Sequence, residues 1–275
     1  MALKNILVYI SDSAQSQHRV DAAIDLAMRH DAHLTGIDVE PTVRMSTYVA
    51  PEIPKDVLRE IQAQHAARAA KARANFETAA QRTGWFDRCS LMTEHGDPID
   101  VLSLHARHAD LTIVGQTPPP NTPNGEMSLA HDLVLQSGRP VLVMPFFGAT
   151  APIGKNIVVA WNGGREAARA VGDAMSLLER ADTVCVLSIQ PEGSDDAPGA
   201  DITHHLARHG VRATARQSVA NNVDTGDVLL NFVADSGADL LVMGAYGHSR
   251  MREMVLGGVT RHVLQHAAVP ILMSH

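Results

Sequence analysis

The sequence has few cysteines, no long apolar run and no excess of basic residues. Its two cysteines, Cys89 and Cys185, lie far apart in apolar stretches. We therefore expect small buried thiols in a reducing compartment and not a redox centre. No run approaches the roughly 18 apolar residues of a membrane span, and the apolar run near the N-terminus is too short for a signal peptide. These absences predict a cytoplasmic protein without membrane insertion.

The charge balance is mildly acidic. Lys and Arg number 23 against 30 Asp and Glu, which gives a formal net charge of −7. A dedicated nucleic-acid binder needs clustered basic residues to neutralise phosphates, so we expect no nucleic-acid partner. Apolar residues make up 45% and charged residues 19% of the 275 residues, which is a globular balance that excludes disordered, collagen-like and coiled-coil chains. The length predicts about two domains.

The two halves of the sequence repeat each other. Three segments of the first half recur in the same order in the second half: Lys4–Val8 as Lys155–Val159, Ala109–Leu111 as Ala238–Leu240, and Pro140–Met144 as Pro270–Met273. One long repeat of this kind predicts a duplicated domain and excludes a solenoid of short units. We place the domains at residues 1–147 and 155–275, with about 22 extra residues between the second and third strands of the first.

Short apolar runs alternate with helical patterns in each half. The predicted strands are Ile6–Ile10, Leu34–Val39, Cys89–Thr93, Leu111–Val114 and Val141–Met144, and then Ile157–Trp161, Val184–Ile189, Val211–Gln217, Leu240–Met243 and Pro270–Met273. Continuous apolar strands separated by helices predict a parallel sheet covered on both faces, and hence a doubly wound α/β fold. The extra segment contains a long helix, about Lys55–Arg82, whose basic residues Arg68, Lys71 and Arg73 we expect to be solvated.

Four glycines follow the fourth strand of the second half with the spacing G-x2-G-x9-G-G: Gly244, Gly247, Gly257 and Gly258. Ligands of open α/β sheets bind beyond the carboxyl ends of strands, and the free N–H groups at the start of the next helix suit a phosphate. His248 and Arg250 would add charge-assisted contacts. The alternative is a tight turn without a ligand. No G-x-G-x-x-G motif follows either first strand, so a dinucleotide-binding unit is not expected.

Together with Asn156–Gly164, the stretch Gly244–Met273 resembles the universal stress protein family, and the repeat is similar to its tandem members. The resemblance implies two doubly wound five-stranded parallel-sheet domains of strand order 3-2-1-4-5, packed as an internal pseudo-dimer. It also implies that the last strands, Val141–Met144 and Ile271–Met273, pair antiparallel, which would cover two apolar edges.

The same resemblance implies an adenine-nucleotide site in the second half. Carried over position by position, its residues would be Asn162, Gly163, Ile189, Met243, Gly244, Gly247, His248, Arg250, Gly257, Gly258, Val259 and Thr260. The chain departs from the family pattern at two of them. Asn162 stands where Asp is usual, and Gly258 stands where Ser or Thr is usual. One hydroxyl directed at the phosphates is therefore missing, and we expect the Gly258 N–H and Thr260 to compensate in part.

The first half lacks this pattern. Gly115 matches Gly244, but Pro118, Met127 and Ser128 occupy the other glycine positions, and the intervening loop is rich in proline. Proline offers no N–H to a phosphate. We therefore expect a degenerate first domain and one nucleotide site at most.

The sequence thus predicts a cytosolic stress-response regulator or sensor that binds ATP (or AMP or ADP), with or without Mg²⁺, in its second domain. No catalytic residue and no metal ligand is assigned, since the pairs His105–His108 and His205–His209 lack completing ligands. Slow ATP hydrolysis is the most that we expect in the way of enzymatic activity. The alternative is a nucleotide-independent protein-interaction module of the same fold. An unidentified protein partner and a homodimer are left open.

Overall fold

The computed structural model describes residues 2–41, 55–116, 129–147, 152–190, 199–220, 224–246 and 258–275. Strands in chain order are β1 (Asn5–Tyr9), β2 (His33–Pro41), β3 (Cys89–Gly96), β4 (Leu111–Gly115), β5 (Val141–Met144), β6 (Asn156–Ala160), β7 (Thr183–Gln190), β8 (Ala213–Val219), β9 (Leu240–Gly244) and β10 (Ile271–Ser274). Helices are α1 (Ala14–His30), α2 (Lys55–Thr83), α3 (Pro98–Ala106), α4 (Leu129–Gln136), α5 (Arg165–Leu178), α6 (Ala200–Arg208), α7 (Thr225–Asp235) and α8 (Val259–His266). All ten predicted strands are present, with shifted ends.

The strands form one ten-stranded sheet in the order β3-β2-β1-β4-β5-β10-β9-β6-β7-β8. Each half therefore has the order 3-2-1-4-5, and all pairs within a half are parallel. The halves join through β5 and β10, which pair antiparallel with Leu142 opposite Leu272. The predicted fold and the predicted pairing of the last strands are confirmed. Both apolar edges are thereby removed from solvent.

Helices cover both faces of the sheet. A hydrophobic core lies on each face, and each of the two cores extends through both halves of the chain. One face packs against α1, α2, α5 and α6, through residues such as Ile24, Phe76 and Val171. The other packs against α3, α4, α7 and α8, through residues such as Leu133 and Val263. Strands buried on both faces are apolar throughout, which is why their sequences do not alternate.

The repeat is also visible in how the first strand of each half is anchored. The Asp110 carboxylate accepts hydrogen bonds from the backbone N–H groups of Lys4 (2.7 Å) and Asn5 (2.9 Å). Asp239 does the same in the second half, including a 3.0 Å bond from the N–H of Asn156. An aspartate just before the fourth strand thus satisfies amides at the start of the first strand, which explains why the Ala-Asp-Leu segment is repeated.

Two expectations need correction or refinement. The cysteines are free but only half-buried: Cys89 lies in the edge strand β3, and Cys185 lies in β7, next to the opposite edge strand β8. Burial still raises the pKa of Cys89 to about 11. On α2, Arg68 and Lys71 are exposed as expected, but Arg73 is partly buried, and its charge acts on the buried carboxyl of Asp38. None of the helices in the described ranges is long and apolar enough to cross a bilayer.

Candidate functional site

The strand order reverses in the second half between β6 and β9. From β6 the chain continues to β7 on one side, whereas β9 is added on the other. Ala160 of β6 lies opposite Met243 of β9, so the segments that follow them leave the same edge of the sheet side by side. In doubly wound folds this is the crevice where ligands bind. The predicted site residues that the structure describes all lie at or near this edge.

The turn from β6 into α5 carries two of them. Asn162 is exposed, and its side-chain Oδ1 accepts a 2.9 Å hydrogen bond from the Gly164 N–H. Gly163 has a φ of 72°, a conformation that side-chain-bearing residues rarely adopt. The Asn162 side-chain oxygen thus stabilises the turn, and its amide NH₂ group takes no part in this hydrogen bond.

A buried carboxylate lies at the start of α5. The Glu166 side chain is 7% exposed and pairs with Arg165, which is 88% exposed. The hydrogen bond from Arg165 lowers the pKa of Glu166, against the opposing effect of burial. An acid in the first helical turn is stabilised by the helix dipole, so the N-terminus of α5 already has an anion of its own.

Gly244 has a packing role that the sequence reading missed. A Cβ atom at this position would lie 2.5 Å from the backbone N of Ala167 and 2.5 Å from the backbone C of Glu166. These contacts are far below van der Waals distance, so only glycine allows α5 to cross β9 this closely. The predicted role of Gly244 in binding a phosphate is not tested by this contact, since the contact concerns only its missing side chain.

Thr260 connects the segment after β9 to α8. It is 3% exposed, and its Oγ1 accepts a 3.3 Å hydrogen bond from the backbone N–H of Tyr246, a residue with a φ of 58°. The hydroxyl therefore fixes the position of the segment that leads into the glycine-rich loop. This buried contact gives Thr260 a positioning role, and it does not test the phosphate contact expected from the sequence, since the hydroxyl can still donate its own proton.

The N-terminus of α8 is open in a way that most other helix starts are not. Its N-cap is Gly258, no side chain of the described residues hydrogen-bonds the cap, and its first turn contains no acid. By contrast, α3 and α7 are capped by the carboxylates of Asp97 and Asp224. The first turn of α8 contains the exposed residue Arg261 instead. Free N–H groups, the positive end of the dipole and a cation are the features that favour a bound anion.

The matching places in the first half are closed or acidic. At the start of α1 the Ser16 N–H donates to the Ser13 hydroxyl (3.1 Å), and the Ser11 N–H donates to the Ser16 hydroxyl (2.8 Å). At the start of α4, Asp132 lies in the first turn, 3.0 Å from His131. Side chains therefore satisfy donors at the start of α1, and an acid occupies the first turn of α4, whereas the first turn of α8 has neither feature among the described residues.

The two apolar site positions contribute to one face of the second half. Met243 is buried in β9, and Ile189, near the end of β7, is partly buried against the same core. Val259, the first residue of α8, also packs on this core. These residues give the edge an apolar wall beside the polar turn. Four predicted site residues lie outside the described ranges: Gly247, His248, Arg250 and Gly257, as do Pro118, Met127 and Ser128 of the first half.

The edge adjoins the seam between the halves, which the sequence reading did not foresee. The ring of Tyr246 makes an edge-to-face contact with His131 of α4, with centroids 5.0 Å apart. His275 Nδ1 lies 2.9 Å from the Ala245 carbonyl oxygen. The family resemblance was the available signal for these contacts, since it implied that the last strands of the two halves pair.

Comparisons with known proteins agree with this architecture. The chain resembles a universal stress protein from Archaeoglobus fulgidus DSM 4304, with a TM-score of 0.74 and 13% identity over 98% of this chain and 95% of that one. It also resembles a functionally unknown protein from Pseudomonas aeruginosa PAO1, with a TM-score of 0.60 and 16% identity over 99% and 92% of the chains. Identities this low show a shared fold only.

Sequence comparison identifies the family. A universal stress protein from Synechocystis sp. PCC 6803 is 41% identical over 46 residues, a match that spans 17% of this chain and 16% of that protein's length. The universal stress protein family model matches twice, over residues 2–145 and 154–275. The chain is therefore a tandem member of the universal stress protein family.

Proposed function

We propose that the protein is a cytoplasmic stress-response regulator or sensor that binds one adenine nucleotide in its second domain. We keep residues 1–147 and 155–275 as the proposed domains. The nucleotide would be ATP, AMP or ADP, with its phosphates at the start of α8 and its base against the apolar wall of Ile189 and Met243. The Asn162 amide would contact the sugar or phosphates from the turn after β6.

The open N-terminus of α8 is the observation that carries this proposal. The repeat aligns Arg261 and His262 of α8 with His131 and Asp132 of α4. The first domain therefore has an acid where the second has a basic side chain, at the helix end that would receive phosphate. Opposite charge near a helix N-terminus typically changes anion binding by about 0.3–1 kcal/mol, and up to about 2 kcal/mol where it is partly buried. This difference favours the second domain as the single site.

Binding and sensing fit the described residues better than catalysis. The carboxylate beside the turn is Glu166, and its pairing with Arg165 occupies it. Mg²⁺ would then arrive with the nucleotide phosphates, whose oxygens are its preferred ligands.

The two free, half-buried thiols are consistent with a reducing compartment.

Calorimetric titration of nucleotide-stripped full-length protein with ATP and Mg²⁺ tests the proposal. We expect one site per chain. The variant Arg261→Glu places an acid in the first turn of α8, which helix electrostatics tolerate well, but it opposes a phosphate. We expect it to weaken binding about tenfold, which corresponds to about 1.4 kcal/mol. The control is Arg107→Glu, which makes the same charge change at an exposed position after α3.

Three results would contradict the proposal. Equal weakening by both variants would mean a general charge effect and not a site at α8. Two bound nucleotides per chain would mean that the first domain also binds. No detectable binding, together with an unchanged melting temperature, would favour the alternative of a nucleotide-independent protein-interaction module. In that case the protein would act through a homodimer or another protein partner.

A further inference from the structure

Three side chains of metal-ligating type meet between α7 and α8. Asp224 and Asp227 come from the start of α7, and His262 comes from α8. His262 Nε2 lies 2.9 Å from Asp227 Oδ1, and one ligand atom from each residue lies within 4.8 Å of the others. Within the described ranges this is the one group of three or more such side chains with this spacing.

Helix capping explains only part of this arrangement. Asp224 is the N-cap of α7, and its Oδ1 accepts a 2.7 Å hydrogen bond from the Gly226 N–H. That bond uses one carboxylate oxygen and leaves the other. Asp227 lies in the first turn, where acids are favourable, but capping does not require a histidine from a second helix.

The His262 imidazole is placed as a ligand would be. Its side chain is 24% exposed, but Nε2 itself is shut off from solvent. Although Nε2 is close to Asp227 Oδ1, the two do not form a hydrogen bond of acceptable geometry. Neighbouring ligand atoms around an ion with bonds of about 2.1 Å are separated by about 2.9–3.4 Å. The 2.9 Å spacing falls in this range, so one ion would satisfy both atoms.

Gly226 makes room for the imidazole. A Cβ atom there would lie 2.7 Å from His262 Cδ2. Glycine inside a helix costs about 1 kcal/mol relative to alanine, so this position has a local reason to remain without a side chain. The reason is the close approach of His262 and of the capping Asp224 Oδ1, which would lie 2.8 Å from a Cβ atom at this position.

We propose that Asp224, Asp227 and His262 bind a divalent first-row transition-metal ion, with water in its remaining positions, and that this ion clamps α7 to α8. One imidazole nitrogen with two carboxylate oxygens is a donor set that suits ions such as Zn²⁺, Mn²⁺ or Co²⁺. The proposed metal site lies beside the first turn of α8, next to the proposed nucleotide site, but none of its three ligands is a proposed nucleotide contact. Its test therefore uses no nucleotide.

The experiment is calorimetric titration of chelator-treated full-length protein with Zn²⁺. We expect one ion per chain and a higher melting temperature with Zn²⁺ than without it, because an ion that binds the folded state stabilises it. Asp224→Asn keeps a good helix cap, and Asp227→Asn keeps the shape of the side chain. Each should weaken Zn²⁺ binding at least about tenfold, since even outer partners of a metal site contribute that much.

Two histidine variants separate the proposed site from adventitious binding by helical histidine pairs. His205→Gln removes an exposed member of the His205–His209 pair on α6, whose rings are 4.8 Å apart. His266→Gln removes the neighbour of His262 on α8, whose ring is 4.4 Å from it. Both variants should retain binding to within about twofold, because neither residue is part of the three-residue group.

Several outcomes would overturn the proposal. An unchanged Zn²⁺ affinity in Asp227→Asn would show that the Asp227 carboxylate is not a ligand. Loss of binding in His205→Gln or His266→Gln, with Asp227→Asn unaffected, would assign the Zn²⁺ to a surface histidine pair. Displacement of Zn²⁺ by equimolar Mg²⁺ would mean an oxygen-only site of different chemistry. The absence of any binding or stabilisation would leave an ordinary helix cap.

Discussion

His30 should make the stability of the protein depend on pH. It is the last residue of α1, is 5% exposed, and its Nε2 has no hydrogen-bond partner within the described part of the chain. Burial lowers the pKa of His30 from 6.5 to about 4, with further contributions from the positive charges of Arg180 and Arg29. The two arginines also connect the halves, since Arg180 donates to the Arg29 carbonyl (3.0 Å).

The sign of the effect follows from which state binds the proton. Below pH 6.5 the unfolded chain protonates His30, whereas the folded chain does not until about pH 4. The contribution of His30 to the free energy of unfolding is therefore fully present above pH 6.5, where the imidazole is neutral in both states. This contribution is lost as the pH falls from 6.5 towards 4. One pKa unit corresponds to about 1.4 kcal/mol, so the full difference is about 3 kcal/mol and the loss at pH 5 is about 2 kcal/mol.

The test compares His30→Leu with the unchanged protein. Leucine has a similar size and no titratable group, so we expect similar stability at pH 8 and a flatter pH dependence below pH 6.5. Urea unfolding followed by tryptophan fluorescence at several pH values measures this, because Trp85 and Trp161 report on the two halves. His204→Gln, an exposed change on α6, is the control. If His30→Leu lost stability between pH 8 and 5 as steeply as the unchanged protein, the argument from burial would be refuted.

Three further predictions concern packing, anchoring and thiol reactivity. Gly244→Ala should lower the free energy of unfolding, measured by urea titration, by about 1–3 kcal/mol, because the new Cβ would lie 2.5 Å from the backbone N of Ala167. The control Gly172→Ala, whose Cβ would have no atom within 4 Å, should raise the free energy of unfolding slightly. Asp239→Ala should cost about 2–3 kcal/mol through the lost bonds to strand amides, and a smaller loss would mean that water replaces the carboxylate. Cys89 should react with a disulfide reagent at pH 8 about 100-fold more slowly in the folded than in the unfolded chain, because its pKa is about 11 instead of 9.0, and equal rates would contradict the burial.

Local sequence patterns were sufficient to predict the elements and their order. A short apolar run such as Val141–Met144, preceded by Pro140, favours a strand buried on both faces, and its repetition at 270–273 indicated a duplicated fold. The antiparallel joining of β5 and β10 was implied by the family resemblance and not by the residues themselves. What the residues did require is that two apolar edges be covered, and the pairing satisfies that requirement.

Contacts between distant segments could not be predicted. Gly244 was interpreted only as a glycine near a ligand, because nothing in its neighbours shows that α5 crosses β9 at that point. His262 was overlooked for the same reason. A sequence indicates a metal site on one helix when histidines lie three or four residues apart, whereas Asp224 and Asp227 precede His262 by more than 30 residues. Such pairs depend on the packing of α7 against α8, which one sequence does not specify.

The two halves share one sheet and two cores, so their differences at the strand ends are not differences in fold. In the first half, Ser13 and Ser16 satisfy the start of α1, and Asp132 occupies the first turn of α4. In the second half, Glu166 occupies the first turn of α5, whereas α8 has a glycine cap and Arg261 in its first turn, so α8 is the helix start that remains open among the described residues. Closing a helix start with side chains removes the need for a ligand there, whereas an open start is stabilised by an anion. Duplication followed by closure of one copy would retain the interface of a family pair within one chain and restrict ligand binding to the copy that stayed open.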